Sequence, residues 1–417
     1  MLTNSHSSTS KGIDPILILL YLALVAVGWF TIYSSSYDPQ AEFTLFNLEQ
    51  NYGRQLIWII VSAVFAISIL ILDGKLFYNH AYIIYLIFML LILLVLFIGT
   101  DINGAKAWIK IGSFSIQPIE FAKFATALAL AKFFHEGKTD NERRYIWLIA
   151  FIFILIPSGI AILQKDTGSA LVFFAFIIMF YREGFNSQLM LIGILIVLTF
   201  VFTLMWNELY TIAFLLVVLC LSCFFIQGSK KKLFRNIGIF AGFIALVFAV
   251  NIAYTNVLQP HQRQRIDTIF GKSIDPKGAD FNLNQSKIAI GSGGISGKGY
   301  LNGTQTKLNF VPEQSTDFIF CGIGEEWGFV GSLVIFALFL SLIFRIIQLA
   351  ERHKSTFVRV YGYGVASVLF FHLIINIGMT IGLLPVIGIP LPFISYGGSS
   401  LWSFTLLLFI FIKISAE

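Results

Sequence analysis

Apolar runs of membrane-crossing length recur along almost the whole chain. A helix needs about 17–25 predominantly apolar residues to cross the hydrocarbon core. Such runs lie near 15–34, 55–72, 78–99, 118–134, 146–164, 167–181, 188–206, 210–227, 236–254, 317–347, 357–383 and 393–414. They predict twelve transmembrane helices. The run at 167–181 is short, and the run at 317–347 opens on charged residues. One stretch breaks the pattern: from Thr255 to Thr316 the chain is polar. Irregular segments of that length between packed elements are uncommon without a use. The pattern therefore predicts an all-α integral membrane protein, a polytopic helix bundle with one large loop. Residues 1–14 form a polar tail rich in Ser and Thr. The apolar run that follows lacks a small-residue cleavage site, so it is expected to be a retained helix.

Composition agrees with the pattern. Of 417 residues, 57% are hydrophobic and 12% charged. Soluble domains carry about 25% charged residues, so a water-soluble globule is excluded. The net charge of +6 matters less than its placement. One set of loops holds Lys138, Arg143 and Arg144, then Arg182, then Lys230, Lys231, Lys232 and Arg235, then Arg345, Arg352, Lys354 and Arg359, then Lys413. The opposite set is poorer in cations, and its first loop holds Asp38, Glu42 and Glu49. The positive-inside rule puts both termini in the cytoplasm and the 255–316 loop on the outer face.

Two tempting motifs fail on inspection. Cys220 and Cys223 form a C-x-x-C within an apolar run, with no second pair and no nearby His, so neither zinc nor redox chemistry is expected. The six histidines show no metal-ligand spacing. The run Gly291-Ser292-Gly293-Gly294-Ile295-Ser296-Gly297-Lys298-Gly299 resembles a phosphate loop but lacks its spacing, and no strand-to-helix context exists. Its glycines suit close backbone approach instead.

Other residues carry chemistry better. Asp275 precedes Pro276, which favours an extended conformation. A carboxylate held on an outer-face turn can serve as a general base, although Asp-Pro is also a common turn starter. Asp267, Asp280, Glu313 and Asp317 compete for that role. Glu120 and Lys123 share one face of the fourth span at i and i+3. Charges at membrane depth face a cavity or each other. Asp166 lies between two closely spaced helices near the outer surface. Glu325 and Glu326 open the tenth span, one suited to bundle support and the other to a helix start. Arg54, Lys106, Lys110, Arg263, Arg265, Lys287, Lys298 and Lys307 lie on or near the outer face, where several together could hold a diphosphate. Each alone also fits a headgroup anchor. Prolines and glycines crowd Pro385 to Ser400, with Ser399 among them. Broken backbone at that depth is tolerated only where protein or a watery cavity covers it. Transporters use such breaks for substrate sites.

These residues together resemble the SEDS family, the shape, elongation, division and sporulation proteins. The resemblance runs from the first helix to the last. Its motifs are Gly104-Ala105-Lys106-Ala107-Trp108-Ile109, Gln117-Pro118-Ile119-Glu120-Phe121-Ala122-Lys123, Gln164-Lys165-Asp166-Thr167-Gly168, Asp275-Pro276-Lys277-Gly278, Gln285 to Gly294, Pro312 to Phe320 and Leu391 to Ser400. Gly297-Lys298-Gly299 followed by Gly303-Thr304-Gln305 is similar to the RodA branch. The resemblance implies a peptidoglycan glycosyltransferase that polymerises lipid II outside the cytoplasmic membrane. It puts the family's essential loop aspartate at Asp275 and its intramembrane Glu and Lys at Glu120 and Lys123. It also implies a class B penicillin-binding protein as partner, the elongation proteins MreC and MreD, and no nucleic acid. No resident cofactor is expected, with Mg or Mn as the candidate divalent cation. Three departures stand out. Gln-Lys-Asp replaces Gln-Pro-Asp around Asp166. Asp280-Phe281 replaces Gly-Tyr, leaving a second carboxylate beside Asp275. Twelve helices replace ten, with 188–227 as an inserted hairpin. A lipid II flippase and a non-catalytic scaffold are the rival expectations.

Overall fold

The computed structural model describes residues 12–37, 44–102, 104–112, 114–137, 143–206, 208–224, 230–257, 267, 279–308 and 310–417. Polar residues and prolines start the helices. Asp14 caps α1 (Pro15–Ser35) by accepting from the Leu17 N–H at 3.0 Å, with Pro15 pre-set in the first turn. After α2 (Asn51–Ile71), Asp73 caps α3 (Gly74–Ile98) through the Lys75 N–H. Pro118 opens α4 (Pro118–Glu136), and α5 (Arg143–Leu163) follows. Two short helices, α6 (Thr167–Phe173) and α7 (Phe176–Arg182), occupy the expected span 167–181. Next come α8 (Ser187–Met205), α9 (Glu208–Phe224) and α10 (Lys230–Ile252), which ends in a π-turn over Ala253–Val257. The remainder is α11 (Ala279–Gly293), α12 (Thr304–Lys307), α13 (Ile319–Arg352), α14 (Thr356–Thr380) and α15 (Gly398–Ala416).

Among the described residues each expected span falls mainly on helix, although 381–383 and 393–397, at the ends of the last two spans, are not helical. Among the described residues, nine helices are long and apolar enough to cross a membrane. The α6–α7 pair and α9 are shorter apolar stretches. The remaining one, α4, carries Glu120, Lys123, Lys132 and Glu136. It is nevertheless an inner helix, with Ala122, Ala125, Ala127, Leu128, Ala129 and Leu130 fully buried. Its alanines let α3, α14 and α15 pack closely against it. Glu120 and Lys123, charges that lipid would reject, sit on α4 because protein covers them.

Two features depart from the expected all-helical pattern. Strands β1 (Thr100–Ile102), β2 (Ala105–Ile111) and β3 (Phe114–Ile116) form an antiparallel meander between α3 and α4. Ile102 pairs with Ala105 and Ile111 with Phe114. The polar stretch also contains helix, namely α11 and α12. Residues Met1–Glu183 with Asn282–Glu417 form one compact unit, and Gly184–Phe281 form another. In the second, α8, α9 and α10 share a core of Leu215, Phe240, Phe243 and Val247. Within the expected hairpin 188–227 lie α8, apart from its first residue, and α9 of that unit. Cys220 is exposed and Cys223 partly so, and neither is bonded.

The glycine run docks onto a break in α13. Gly328 takes φ 65° and ψ −159°, a region essentially restricted to glycine. Just beyond it, the Phe329 and Val330 N–H groups donate to the Gly294 and Ile295 carbonyls at 2.9 and 3.1 Å. The Lys298 and Gly299 N–H groups donate to the Glu325 and Glu326 carbonyls, each at 3.0 Å. Buried Glu325 completes the clamp. It accepts from the Thr304, Gln305 and Thr306 N–H groups at 2.8, 2.9 and 3.0 Å, capping α12, and pairs with Lys298 at 2.7 Å. Glu326 accepts from the Ser34 hydroxyl of α1. A Cβ on Gly328 would lie 2.3 Å from the Gly297 nitrogen. Gly328→Ala is therefore expected to cost about 2–5 kcal/mol. The check is thermal unfolding in detergent, where an unchanged midpoint would contradict this packing.

The chain is non-helical over 381–397, as the proline density predicts. Protein covers the second half of this segment: Ile389, Leu391, Phe393 and Ile394 are buried. The Asn376 amide donates to the Ile389 and Asp317 carbonyls at 2.7 and 2.8 Å. The Ser395 hydroxyl accepts from the Leu391 N–H at 2.8 Å and donates to the Thr316 carbonyl at 2.7 Å. The Ile389 carbonyl and the Leu391 N–H of the segment are thereby satisfied away from water.

Candidate active site

A cavity of about 600 Å³ opens where the start of α4, the start of α6 and the 381–397 segment meet. Seven residues singled out from sequence line it: Arg54, Glu120, Lys123, Asp166, Glu313, Asp317 and Ser399. They come from five separate stretches of chain, so the fold, not the sequence, brings them together.

Lys123 and Glu120 form the buried pair that their spacing suggests. The ammonium lies 2.7 Å from Glu120 Oε1, and both side chains are almost fully enclosed. Glu120 Oε2 has no hydrogen-bond partner among the described residues. A buried ion pair is not by itself stabilising, because desolvation offsets the Coulomb gain. A lone carboxylate oxygen is costlier still. A pair kept at that cost, in a cavity wall, fits a site that meets a polar ligand.

Asp166 has less freedom. Its Oδ1 accepts from the Ser169 N–H at 2.9 Å, capping α6, and its Oδ2 accepts from the Gln117 side-chain amide at 2.7 Å. Ser399 Oγ accepts from the Gln117 N–H at 3.0 Å. Gln117 thus ties the starts of α4, α6 and α15. Both Asp166 oxygens are engaged, so its geometry is that of a brace. Lys165 beside it takes φ 62°, a conformation closed to proline. The lysine that stands where the resemblance implies a proline therefore permits a backbone proline cannot adopt. Arg54 donates to the Leu48 carbonyl at 2.6 Å, and Glu313 accepts from the Thr316 hydroxyl at 2.7 Å.

Asp317 precedes α13 and has its carboxyl in the cavity wall. Enclosure by protein, then the charges of Glu313, Asp166 and Glu120, push its pKa from 3.8 up to about 7. The raised value means the neutral acid suits the fold. Its contribution to stability is complete below 3.8 and is lost as pH rises through about 7. Asp317→Asn should therefore raise the thermal midpoint, and more so near pH 9 than near pH 5 (approximate values bracketing the titration). A gain of equal size at both would contradict the assignment.

Several expectations are corrected or lie elsewhere. Lys287 is not brought to this cavity. Its side chain runs against Gly382, and neighbouring Ser286 donates to the Thr380 carbonyl at 3.0 Å. Lys298 is committed to Glu325. Asp275, Arg263 and Arg265 lie outside the described residues, as does the side chain of Asp280, whose backbone is in the first turn of α11. Among the described residues no group of three His, Cys, Asp or Glu side chains could hold a metal ion.

Gln117 and Lys165, named from sequence only within motifs, also line the cavity, as do His372 and Trp58, which sequence reasoning did not single out. His372 had a usable signal. An ionisable residue inside an apolar span is a functional candidate by default, yet the search for metal-ligand spacing passes over it.

The chain matches the profile of the FtsW/RodA/SpoVE cell cycle proteins over residues 15–213 and 182–417. It is 32% identical to the peptidoglycan glycosyltransferase RodA of Treponema pallidum, covering 97% of this chain and 98% of that protein. With the peptidoglycan glycosyltransferase MrdB of Escherichia coli K12 it shares 31% identity, over 93% and 90%. A solved chain from a peptidoglycan synthase complex, described as coordinating polymerization and crosslinking, superposes with a TM-score of 0.71 at 26% identity, covering 97% and 98%. The rod shape determining protein RodA of Thermus thermophilus shares the fold, with a TM-score of 0.61 at 24% identity over 99% and 98%. With relatives matched from end to end at this identity and the same arrangement of helices, the chain belongs to the FtsW/RodA/SpoVE family of cell cycle proteins.

Proposed function

We propose that this multi-pass membrane protein is a peptidoglycan glycosyltransferase that polymerises lipid II into β-1,4-linked strands and releases undecaprenyl diphosphate during cell elongation. The reading is carried by the buried Lys123–Glu120 pair, 2.7 Å apart in the wall of a cavity of about 600 Å³, in a chain akin throughout to named peptidoglycan glycosyltransferases.

The 4-hydroxyl of an acceptor lipid II attacks the anomeric carbon of the growing strand's lipid-linked sugar. That carbon's bond to the diphosphate breaks, and its configuration inverts from α to β. Inversion in one step needs a base on the acceptor side, and Asp275 takes that proton. The diphosphate is already a good leaving group, so it needs charge stabilisation more than protonation. Lys123 supplies a fixed ammonium, and Arg54 a second cation at the cavity wall. Arg263 and Arg265 would act from the polar loop. A divalent Mg or Mn ion, the other means of neutralising the diphosphate, finds no ready-made cluster of ligands among the described residues. Asp166 and Ser399 brace the wall through Gln117.

The placement of Lys and Arg supports cytoplasmic termini and an outer-face loop. A class B penicillin-binding protein is the partner this reading requires, because new strands must be cross-linked. MreC and MreD are the expected associates in elongation. The 381–397 break beside the cavity favours one rival, a lipid II flippase. The test is product chemistry. Purified protein with its transpeptidase partner and lipid II should yield strands that a β-1,4-specific muramidase cleaves, with free undecaprenyl diphosphate. Recovery of unaltered lipid II alone would refute the enzyme.

A further inference from the structure

Lys123 has a second partner besides Glu120. His372, from α14, places Nε2 3.1 Å from the ammonium and Nδ1 2.9 Å from the Pro390 carbonyl. A carbonyl only accepts, so Nδ1 carries the ring proton. An ammonium only donates, so Nε2 offers its lone pair. The two neighbours together fix a neutral ring in one tautomer. Phe404 fixes its plane. The two rings meet edge to face at 4.8 Å and 88°, and the same phenyl ring lies 5.2 Å from the Lys123 ammonium. His372 is fully buried and its ring cannot turn without losing all three contacts.

An ammonium has three N–H groups. Glu120 takes one and His372 another, and among the described residues no third hydrogen-bond acceptor exists beside the Phe404 ring contact. The remaining N–H is the one available to the cavity that Lys123 lines. We propose that His372 is a positioning residue, a neutral imidazole that aims the Lys123 ammonium into the cavity and couples it to the non-helical segment at Pro390. Lysine is a point charge on a flexible four-carbon stem. Held by Glu120 alone, it could swing about a single contact. Held from two sides, it presents its charge in one place, which is what preorganised stabilisation of a leaving group requires.

The kinetic consequence rests on the glycosyltransferase reading, and the geometric one does not. Glutamine and asparagine separate the two ring contacts. The glutamine amide oxygen reaches the Nε2 position and can accept from Lys123. The asparagine amide nitrogen reaches only the Nδ1 position and can keep Pro390 alone. His372→Gln, His372→Asn and His372→Leu are compared in the full complex with the partner transpeptidase, at matched thermal stability. The Lys123 ¹⁵Nζ resonance, assigned by its loss in Lys123→Arg, is followed in detergent. His372→Gln should keep kcat within about threefold and leave the resonance in place. His372→Asn and His372→Leu should lower kcat roughly 10- to 100-fold, with KM little changed, and should shift the resonance. Asparagine equalling or surpassing glutamine in either measurement would overturn the proposal, because the Pro390 contact alone would then suffice. So would wild-type kcat or an unmoved resonance in His372→Leu. If the wild-type complex polymerises nothing, the glycosyltransferase reading fails, and the resonance still decides the positioning role.

Discussion

Asp275→Asn is expected to abolish glycan polymerisation in a protein that still folds. The substitution keeps shape and removes only the capacity to accept a proton. General-base assistance is typically worth about 10²–10⁴-fold, so strand synthesis should fall by at least that range's lower end. Lipid II polymerisation by the purified complex measures it, and the thermal midpoint in detergent checks the fold. Near-wild-type synthesis would remove Asp275 from the mechanism. Asp280 is the necessary control. Its backbone lies in the first turn of α11, where a carboxylate is favoured by the helix dipole. Asp280→Asn should therefore lose some stability and keep most activity. If Asp280→Asn is inactive and Asp275→Asn active, the two roles are exchanged.

Lys123→Met should produce the second large loss, and it affects two properties at once. Removing the ammonium leaves Glu120 buried and uncompensated, which costs about 3–5 kcal/mol. It also removes the fixed cation facing the leaving diphosphate, and such preorganised contacts are worth about 10²–10³-fold in kcat. A double change separates the effects. Replacing both members of a buried pair by neutral groups is often close to neutral for stability. Glu120→Gln with Lys123→Met should therefore regain much of the thermal midpoint and none of the activity. Recovery of activity along with stability would show that Lys123 serves the fold alone.

Much of this was legible in the chain because the signals are local. Apolar runs marked the helices, and i, i+3 spacing put Glu120 and Lys123 on one face. Proline density around Pro385–Pro392 marked the broken backbone, and Glu325 or Glu326 was expected to start a helix, as Glu325 does for α12. Association into one cavity was not local. Nothing in the sequence says that α14 lies against α4, so the His372–Lys123 contact could not be read. For the same reason Lys287 was expected among the diphosphate-binding cations, and its side chain instead lies against Gly382, outside the cavity lining. The meander was missed although Asn103-Gly104 is a hairpin dipeptide. Its strands are short, and β2 alternates with small alanines at Ala105 and Ala107 where bulky residues would have announced a buried face. Asp166 was expected in a supporting role, and the engagement of both its oxygens could not be read from sequence either.

The rival flippase and the enzyme share a cavity, a broken helix and a lipid-linked substrate, so only the reaction separates them. The most direct measurement gives the purified chain and its partner lipid II in detergent, where no two sides of a bilayer exist. The glycosyltransferase account expects glycan strands that lengthen with time, with one undecaprenyl diphosphate released for each bond formed. No polymer in detergent, with lipid II crossing the bilayer once the same protein is placed in liposomes, would contradict it.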